Sequence, residues 1–485
     1  MKKIVLILGF LALTISCTDD ITGLNQDTKN ATTTTSQYLF TNAQKALVDQ
    51  MTSTSVNYNV FRLFSQYWTE TTYPDESQYN ITTRTIPDRH FTVLYRDVLR
   101  DLKESKMLLD KETPASADAT AILNNKKAIV DILSAYTYSI LVDTFGNVPY
   151  SEALDIEGHP LPKYDDAQTI YKDLIARLTT DSNLLTTGSD SFGSADLIYS
   201  GSAAKWKKFA NSLKLRLAIN MDDVDHTYAS AQITAAVSAG LISSNADNTN
   251  LVYLGAQPNA NPLYADLVVS GRNDFVPANT IVNKMNALSD PRRAKYFDLK
   301  VGATTYTGGT YGTSNNFAAF SHINSAIANP SFPGTIFDYA EVQFLLAEAV
   351  ERGVNVGGTA ESHYNAAITA SMQNWGVNSS DITAYLAQTS VAYTTATGTW
   401  RQKIGEQAWL ALYNRGFEGW TSYRRLDFPA LVSPDPTTTY GNLAVVPKRY
   451  TYPSLEQTLN NTNVTAAITA IGGNTLSTKI FWDKF

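Results

Sequence analysis

The stretch 337-FDYAEVQFLLAEAVERGVNVGGTAESHYNAAITASMQNW-375 carries the clearest helix-start signal in the chain. Asp338 can accept a hydrogen bond from a first-turn backbone N–H, and Glu341 stands three residues on, the spacing of a capping box. Phe337 and Val342 occupy the positions of a hydrophobic staple. Val342, Leu345, Leu346 and Ala349 continue one apolar stripe, and Gly353 can close the helix. After Gly357-Gly358, a second helix is predicted from Thr359. It places Tyr364, Ala367, Ile368, Met372 and Trp375 on one face.

Two amphipathic helices within about forty residues resemble a tetratricopeptide (TPR) hairpin, whose repeat is about 34 residues. Only fragments of a consensus are present, so the repeat is irregular. Earlier in the chain, Ile129, Ile132, Leu133, Tyr136 and Ile140 recur at helical spacing within 127–145, and Gly146 and Pro149 stop that run. Trp206, Phe209, Ala210, Leu213 and Leu217 do the same within 203–220. A further pair is predicted at 402–414 and 417–426, broken by Gly416. Strand signals are few and short, as at 251–254. Thr/Ser/Asn/Gly-rich loops at 302–317 and 387–398 are long enough to serve function. The expected fold is mostly α: TPR-like helix pairs packed against an irregular, loop-rich region with few short strands.

Composition narrows the function. Of 485 residues, 44% are hydrophobic and 17% charged, enough apolar material for a large core. The net charge of −7 lacks the basic excess of a nucleic-acid binder, so none is expected as a partner. A single cysteine excludes a disulfide framework and any Cys-based zinc or iron–sulfur site. That cysteine is Cys17. Lys2 and Lys3, an apolar run from Ile4 to Leu13, and Ser16 precede it, as in an export signal. The run is about ten residues, and a bilayer-spanning helix needs about 20. Cys17 after such a signal resembles a bacterial lipobox, although Thr14 stands where Leu is usual. The expected layout is a signal peptide at 1–16, a lipid-anchored flexible leash at 17–35 and one domain at 36–485. The lipid (palmitate-type acyl chains) would hold the chain on a membrane, and Asp19-Asp20 resemble the acidic residues that favour export to the cell face in surface lipoproteins of some outer-membrane bacteria. No second apolar stretch of spanning length is expected.

Phosphate-loop, dinucleotide, HExxH and nucleophile-elbow motifs are absent from the sequence. No catalytic residue, cofactor or metal ligand is expected. The five histidines are scattered singly. Asp222, Asp223 and Asp225 lack the glycine and glutamate of an EF-hand and read as a solvated helix end. Lys205, Lys207, Lys208, Lys214 and Arg216 read as the wet face of their helix. What stands out is aromatic residues in polar loops: Gln66-Tyr67-Trp68, Tyr73-Pro74-Asp75, Gln78-Tyr79-Asn80 and Arg84. Exposed Trp or Tyr faces stack on sugar rings or apolar groups, and Asn, Asp and Arg bind hydroxyls or a carboxylate. The candidate ligand residues are therefore Trp68, Tyr73, Tyr79, Asn80 and Arg84, with Arg272, Asn273 and Asp274 in a second turn. For Trp68 the competing reading is the end of a core helix face.

Several stretches together resemble the SusD/RagB family of nutrient-binding outer-membrane lipoproteins. They are the lipobox with Asp19-Asp20, the segment VDTFGNVPY at 142–150, Asn261-Pro262-Leu263-Tyr264 with the segment LSDPR at 288–292, the 338–349 helix start, Gln407-Ala408-Trp409 with Gly419-Trp420 and Arg424-Arg425-Leu426, and Arg449-Tyr450-Thr451-Tyr452-Pro453 with Trp482. The resemblance implies a superhelix of four TPR-like pairs. It also implies a role as hinged lid over a SusC-type TonB-dependent transporter, to which an oligosaccharide or peptide is delivered without catalysis. Those stretches are architectural and transfer no ligand site. Two other readings are a secreted α-rich glycoside hydrolase and a periplasmic TPR scaffold that binds only protein.

Overall fold

The computed structural model describes residues 33–485; the signal peptide, Cys17 and most of the leash lie outside the described residues. Ten helices carry the architecture. They are α1 (Ser36–Thr52), α2 (Arg100–Asp110), α3 (Ala117–Phe145), α4 (Ala167–Leu184), α5 (Ala203–Met221), α6 (His226–Ala239), α7 (Tyr339–Glu351), α8 (Ala360–Asn374), α9 (Trp400–Ala411) and α10 (Gly416–Leu426). Sequence neighbours pack as four pairs: α3 with α4, α5 with α6, α7 with α8 and α9 with α10. Helices α4 and α5, α5 and α7, and α7 and α9 also touch, so the pairs form one continuous array. Among the described residues the irregular remainder contributes eight short strands in four two-stranded antiparallel ladders: β1 (Trp68–Glu70) with β5 (Phe275–Pro277), β2 (Val148–Pro149) with β3 (Tyr164–Asp165), β4 (Thr249–Leu251) with β8 (Gly334–Phe337), and β6 (Phe297–Asp298) with β7 (His322–Ile323). The mostly α fold expected from periodicity is the fold observed.

The helix starts follow from side-chain caps. Ser116, Asp166, Ser202, Asp225, Asp338 and Thr399 each accept a hydrogen bond from a first-turn backbone N–H. Helix α3 begins ten residues earlier than the apolar stripe suggested, because Ser116 caps it, and it ends where Gly146 takes φ 85°. It is long and apolar enough to span a membrane, contrary to expectation, but 94% of its most apolar window is buried in the protein. It is the central core helix.

Several expectations are corrected. Glu341 does not reach back to its own helix start. Its carboxylate instead takes Arg216 Nε at 2.6 Å and Nη2 at 2.9 Å, and Arg415 Nη2 at 2.6 Å. The capping box forms one helix later, between Thr359 and Ser362. Lys214 and Arg216 are buried rather than on a wet face. Asp222 is also buried: Arg352 ties it and Asp223 at 3.0 and 2.9 Å, so this helix end is salt-bridged rather than solvated. The strand expected at 251–254 lies at β4 (Thr249–Leu251) and pairs with β8 (Gly334–Phe337).

Candidate functional site

The aromatic-loop segment enters the structure through β1 (Trp68–Glu70). Its partner is β5 (Phe275–Pro277), in register Trp68 to Pro277, Thr69 to Val276 and Glu70 to Phe275. This ladder brings the two candidate turns, about 200 residues apart in sequence, to one edge. Thr71 N–H donates to Asp274 O at 2.9 Å and Thr71 Oγ1 to Asn273 O at 2.6 Å. A third segment braces the edge: Asn315 Nδ2 donates to Glu70 O at 2.9 Å and Asn315 N–H to Thr71 O at 2.7 Å.

The candidate residues separate into two groups. Trp68 and Tyr79 are fully buried, which corrects the reading of their rings as ligand platforms. Trp68 Nε1 donates to Tyr413 Oη at 2.8 Å, and the Arg62 guanidinium lies 5.0 Å over its ring. Tyr79 sits at φ 69°, an uncommon left-handed turn for a tyrosine. Its ring packs edge-on against Phe64 at 5.7 Å. Asn80 is used within its own loop, its Oδ1 accepting from Thr83 N–H and Oγ1 at 3.2 and 3.1 Å.

The others face outward. Tyr73, Arg84, Arg272 and Asp274 line one small surface depression of about 40 Å³, with Glu70, Glu76 and Phe275 among its walls. Tyr73 is 59% exposed. Arg84 Nε meets Glu76 Oε1 at 2.5 Å and Arg272 Nε meets Asp274 Oδ2 at 2.6 Å. Asn273 is exposed beside them. The rim thus offers an aromatic face, cationic donors and a carboxylate acceptor from two turns joined at one edge. That set suits a hydroxylated ligand, which presents both donors and acceptors to its site.

Glu70 and Glu76 form the buried wall of the depression. Burial pushes the Glu70 carboxyl up to about 9, and its hydrogen bond with Glu76 adds to the shift, while Ser77 N–H and Oγ on Oε2 oppose it. Sequence reading missed Glu70, Glu76 and the 310–315 brace. The available signal for the brace was the glycine spacing in the 302–317 loop: a Cβ on Gly308 would stand 2.6 Å from the backbone of Ala278.

A family model described as starch-binding and associating with the outer membrane, SusD-like_2, matches residues 28–453. Among solved structures, a chitin-binding protein superposes with a TM-score of 0.79 at 25% identity, over 93% of this chain and 100% of its own. A SusD homolog from Bacteroides uniformis gives 0.78 at 28% identity, over 92% and 100%. A chitin-binding SusD homolog from Flavobacterium johnsoniae gives 0.77 at 24%, over 92% and 99%, and supports the fold alone. A search of curated proteins finds no match. With the family model spanning most of its length and the fold shared end to end, this chain belongs to the SusD-like family of the outer membrane.

Proposed function

We propose that this protein is a lipid-anchored, cell-surface glycan receptor that hands its ligand to a SusC-type TonB-dependent transporter, for which it acts as lid. The observation that carries the glycan reading is the convergence of Tyr73, Arg84, Arg272 and Asp274 on one exposed depression. Membership of a family described as starch-binding supports the ligand class. Cys17 after an export-type signal supports the tether. A tether keeps receptor and transporter at high effective concentration. The ligand must bind the closed lid better than the open one, since only differential affinity moves that equilibrium. On this reading the protein binds its ligand without cleaving it, which the description of its family as starch-binding supports.

The test is a titration of the mature chain with an array of oligosaccharides and short peptides, beside a Tyr73→Ala, Arg272→Ala double variant. Saturable binding of a glycan, lost in the variant, is expected. Binding of peptides alone, or release of shortened sugars, would overturn the reading. The tether and the lid are checked by acyl labelling at Cys17 and by co-purification with a large barrel protein.

A further inference from the structure

A second concave site shares no lining residue with the loop depression. It lies where the ends of α1, α8 and α9 meet the β4–β8 ladder and the first turns of α7 and α10, and it encloses about 280 Å³. That is just below the usual range for small-molecule pockets, about 300–1,000 Å³.

Three asparagines supply hydrogen-bond donors to its wall, and each has its carbonyl already engaged. Asn250 Oδ1 accepts from Thr335 Oγ1 at 2.7 Å, and Asn374 Oδ1 from Asn248 Nδ2 at 3.3 Å. Asn414 Oδ1 accepts from Arg62 Nε and Nη2 at 3.2 and 3.1 Å. None of the three Nδ2 groups donates to an acceptor among the described residues. Arg415 also lines the cavity and is only 7% exposed. Its Nη2 is held by Ile336 O at 3.0 Å and Glu341 Oε2 at 2.6 Å, but Nε and Nη1 lack a hydrogen-bond partner. Nη1 lies 3.1 Å from Asp338 Oδ2 as an ion pair without aligned geometry. The two Arg415 atoms are closed off from the cavity, whereas the three amide Nδ2 groups are not among the buried unpartnered atoms and are the donors left for a ligand.

Charge and shape narrow what completes it. Asp338 and Glu418 stand beside Arg415 in the same wall, so an anion meets carboxylates as well as the guanidinium. Two aromatic side chains also line the cavity. Trp375 and Phe332 lie with ring centroids 6.1 Å apart at 31°, and Trp375 remains partly exposed. Side-chain amides and carboxylates around an aromatic face suit a neutral, hydroxyl-rich ring of small size.

We propose that this pocket holds one neutral sugar ring, either a free monosaccharide or the terminal unit of a longer glycan. The proposal takes its ligand class from the glycan reading above but rests on different residues.

The experiment is calorimetric titration of the mature chain with glucose and N-acetylglucosamine up to about 50 mM, where weak millimolar sites still register, and with their linear trisaccharides. The variants are Asn374→Leu, Asn250→Leu and the Tyr73→Ala, Arg272→Ala double. Saturable binding that weakens about tenfold or more in either asparagine variant is expected, because a polar site left unpaired discriminates strongly. Response to monosaccharides identifies a free sugar; response to trisaccharides alone identifies a terminal unit. Asn374 is exposed, so Asn374→Leu keeps the fold and carries the test if Asn250→Leu does not. Equal affinities in the wild type and Asn374→Leu, or no saturable sugar binding at all, overturn the proposal. Loss in the double variant with Asn374→Leu unaffected refutes the pocket and leaves the loop site standing; the reverse pattern refutes the loop site alone.

Discussion

Gly419→Ala tests how the helical array positions the loop site. Gly419 lies inside α10, where replacing glycine by alanine ordinarily stabilises a helix by about 1 kcal/mol. Here a Cβ would stand 2.3 Å from Tyr67 Oη, 2.9 Å from Cζ and 3.0 Å from Cε2. The Tyr67 ring cannot swing away. It is fully buried, packs at 5.4 Å on Trp409 and at 5.6 Å on Tyr413, and its hydroxyl donates to Trp409 O at 2.7 Å. Overpacking of this kind costs about 1–3 kcal/mol. Losing the buried hydrogen bond adds about 1–3 kcal/mol. Against the helix gain, the net expectation is a loss of about 1–5 kcal/mol. Urea unfolding should show a lower midpoint with an unchanged slope. In a double-mutant cycle, Tyr67→Phe should recover part of the loss, since it removes the atom nearest the new methyl; contacting pairs couple by about 0.5–3 kcal/mol. A Gly419→Ala protein more stable than the wild type would mean that helix propensity wins and that α10 does not clamp the segment leading into β1.

Three further outcomes are expected. Glu341→Gln should destabilise by about 3–5 kcal/mol in chemical unfolding, because one buried carboxylate serves both Arg216 and Arg415. Glu70 keeps a proton in the folded state up to a pKa of about 9, against 4.5 unfolded, so its contribution to stability falls as pH rises between those values. Glu70→Gln should therefore gain on the wild type by at most about 1.4 kcal/mol per pH unit, read as the difference in Tm at pH 6 and pH 8; a constant difference would refute the shift. Cys17→Ala should abolish incorporation of labelled palmitate and move the protein from the membrane to the soluble fraction.

The helices were legible because their signals are local. Asp338, Thr359 and Ser202 sit one residue before their helices and cap them, and the apolar stripes repeat on a helical period. Charged residues were misread where their partners are distant in sequence. Arg216 and Glu341 are 125 positions apart, and nothing near either one announces the pairing. The same physics divided the candidate site. Tyr73, Arg84, Arg272 and Asp274 carried the right chemistry, but only the β1–β5 ladder places them together. Trp68 looked equally suitable in sequence and is buried by Phe275 and Tyr413, residues from other parts of the chain. The pocket at Arg415 left no local trace, since its lining residues come from separate helix ends and one strand ladder.

The proposed role depends on capture of a glycan at the loop depression without cleavage. The direct measurement is calorimetry of the purified mature chain with the oligosaccharide that an array selects, followed by chromatography of the recovered sugar. Saturable binding is expected, at least about tenfold weaker when Tyr73 and Arg272 are both alanine, since a lost aromatic face and a lost charged hydrogen bond together exceed about 1.4 kcal/mol, with the sugar recovered at its original length. Undiminished binding in the double variant, or a shortened product, would contradict it.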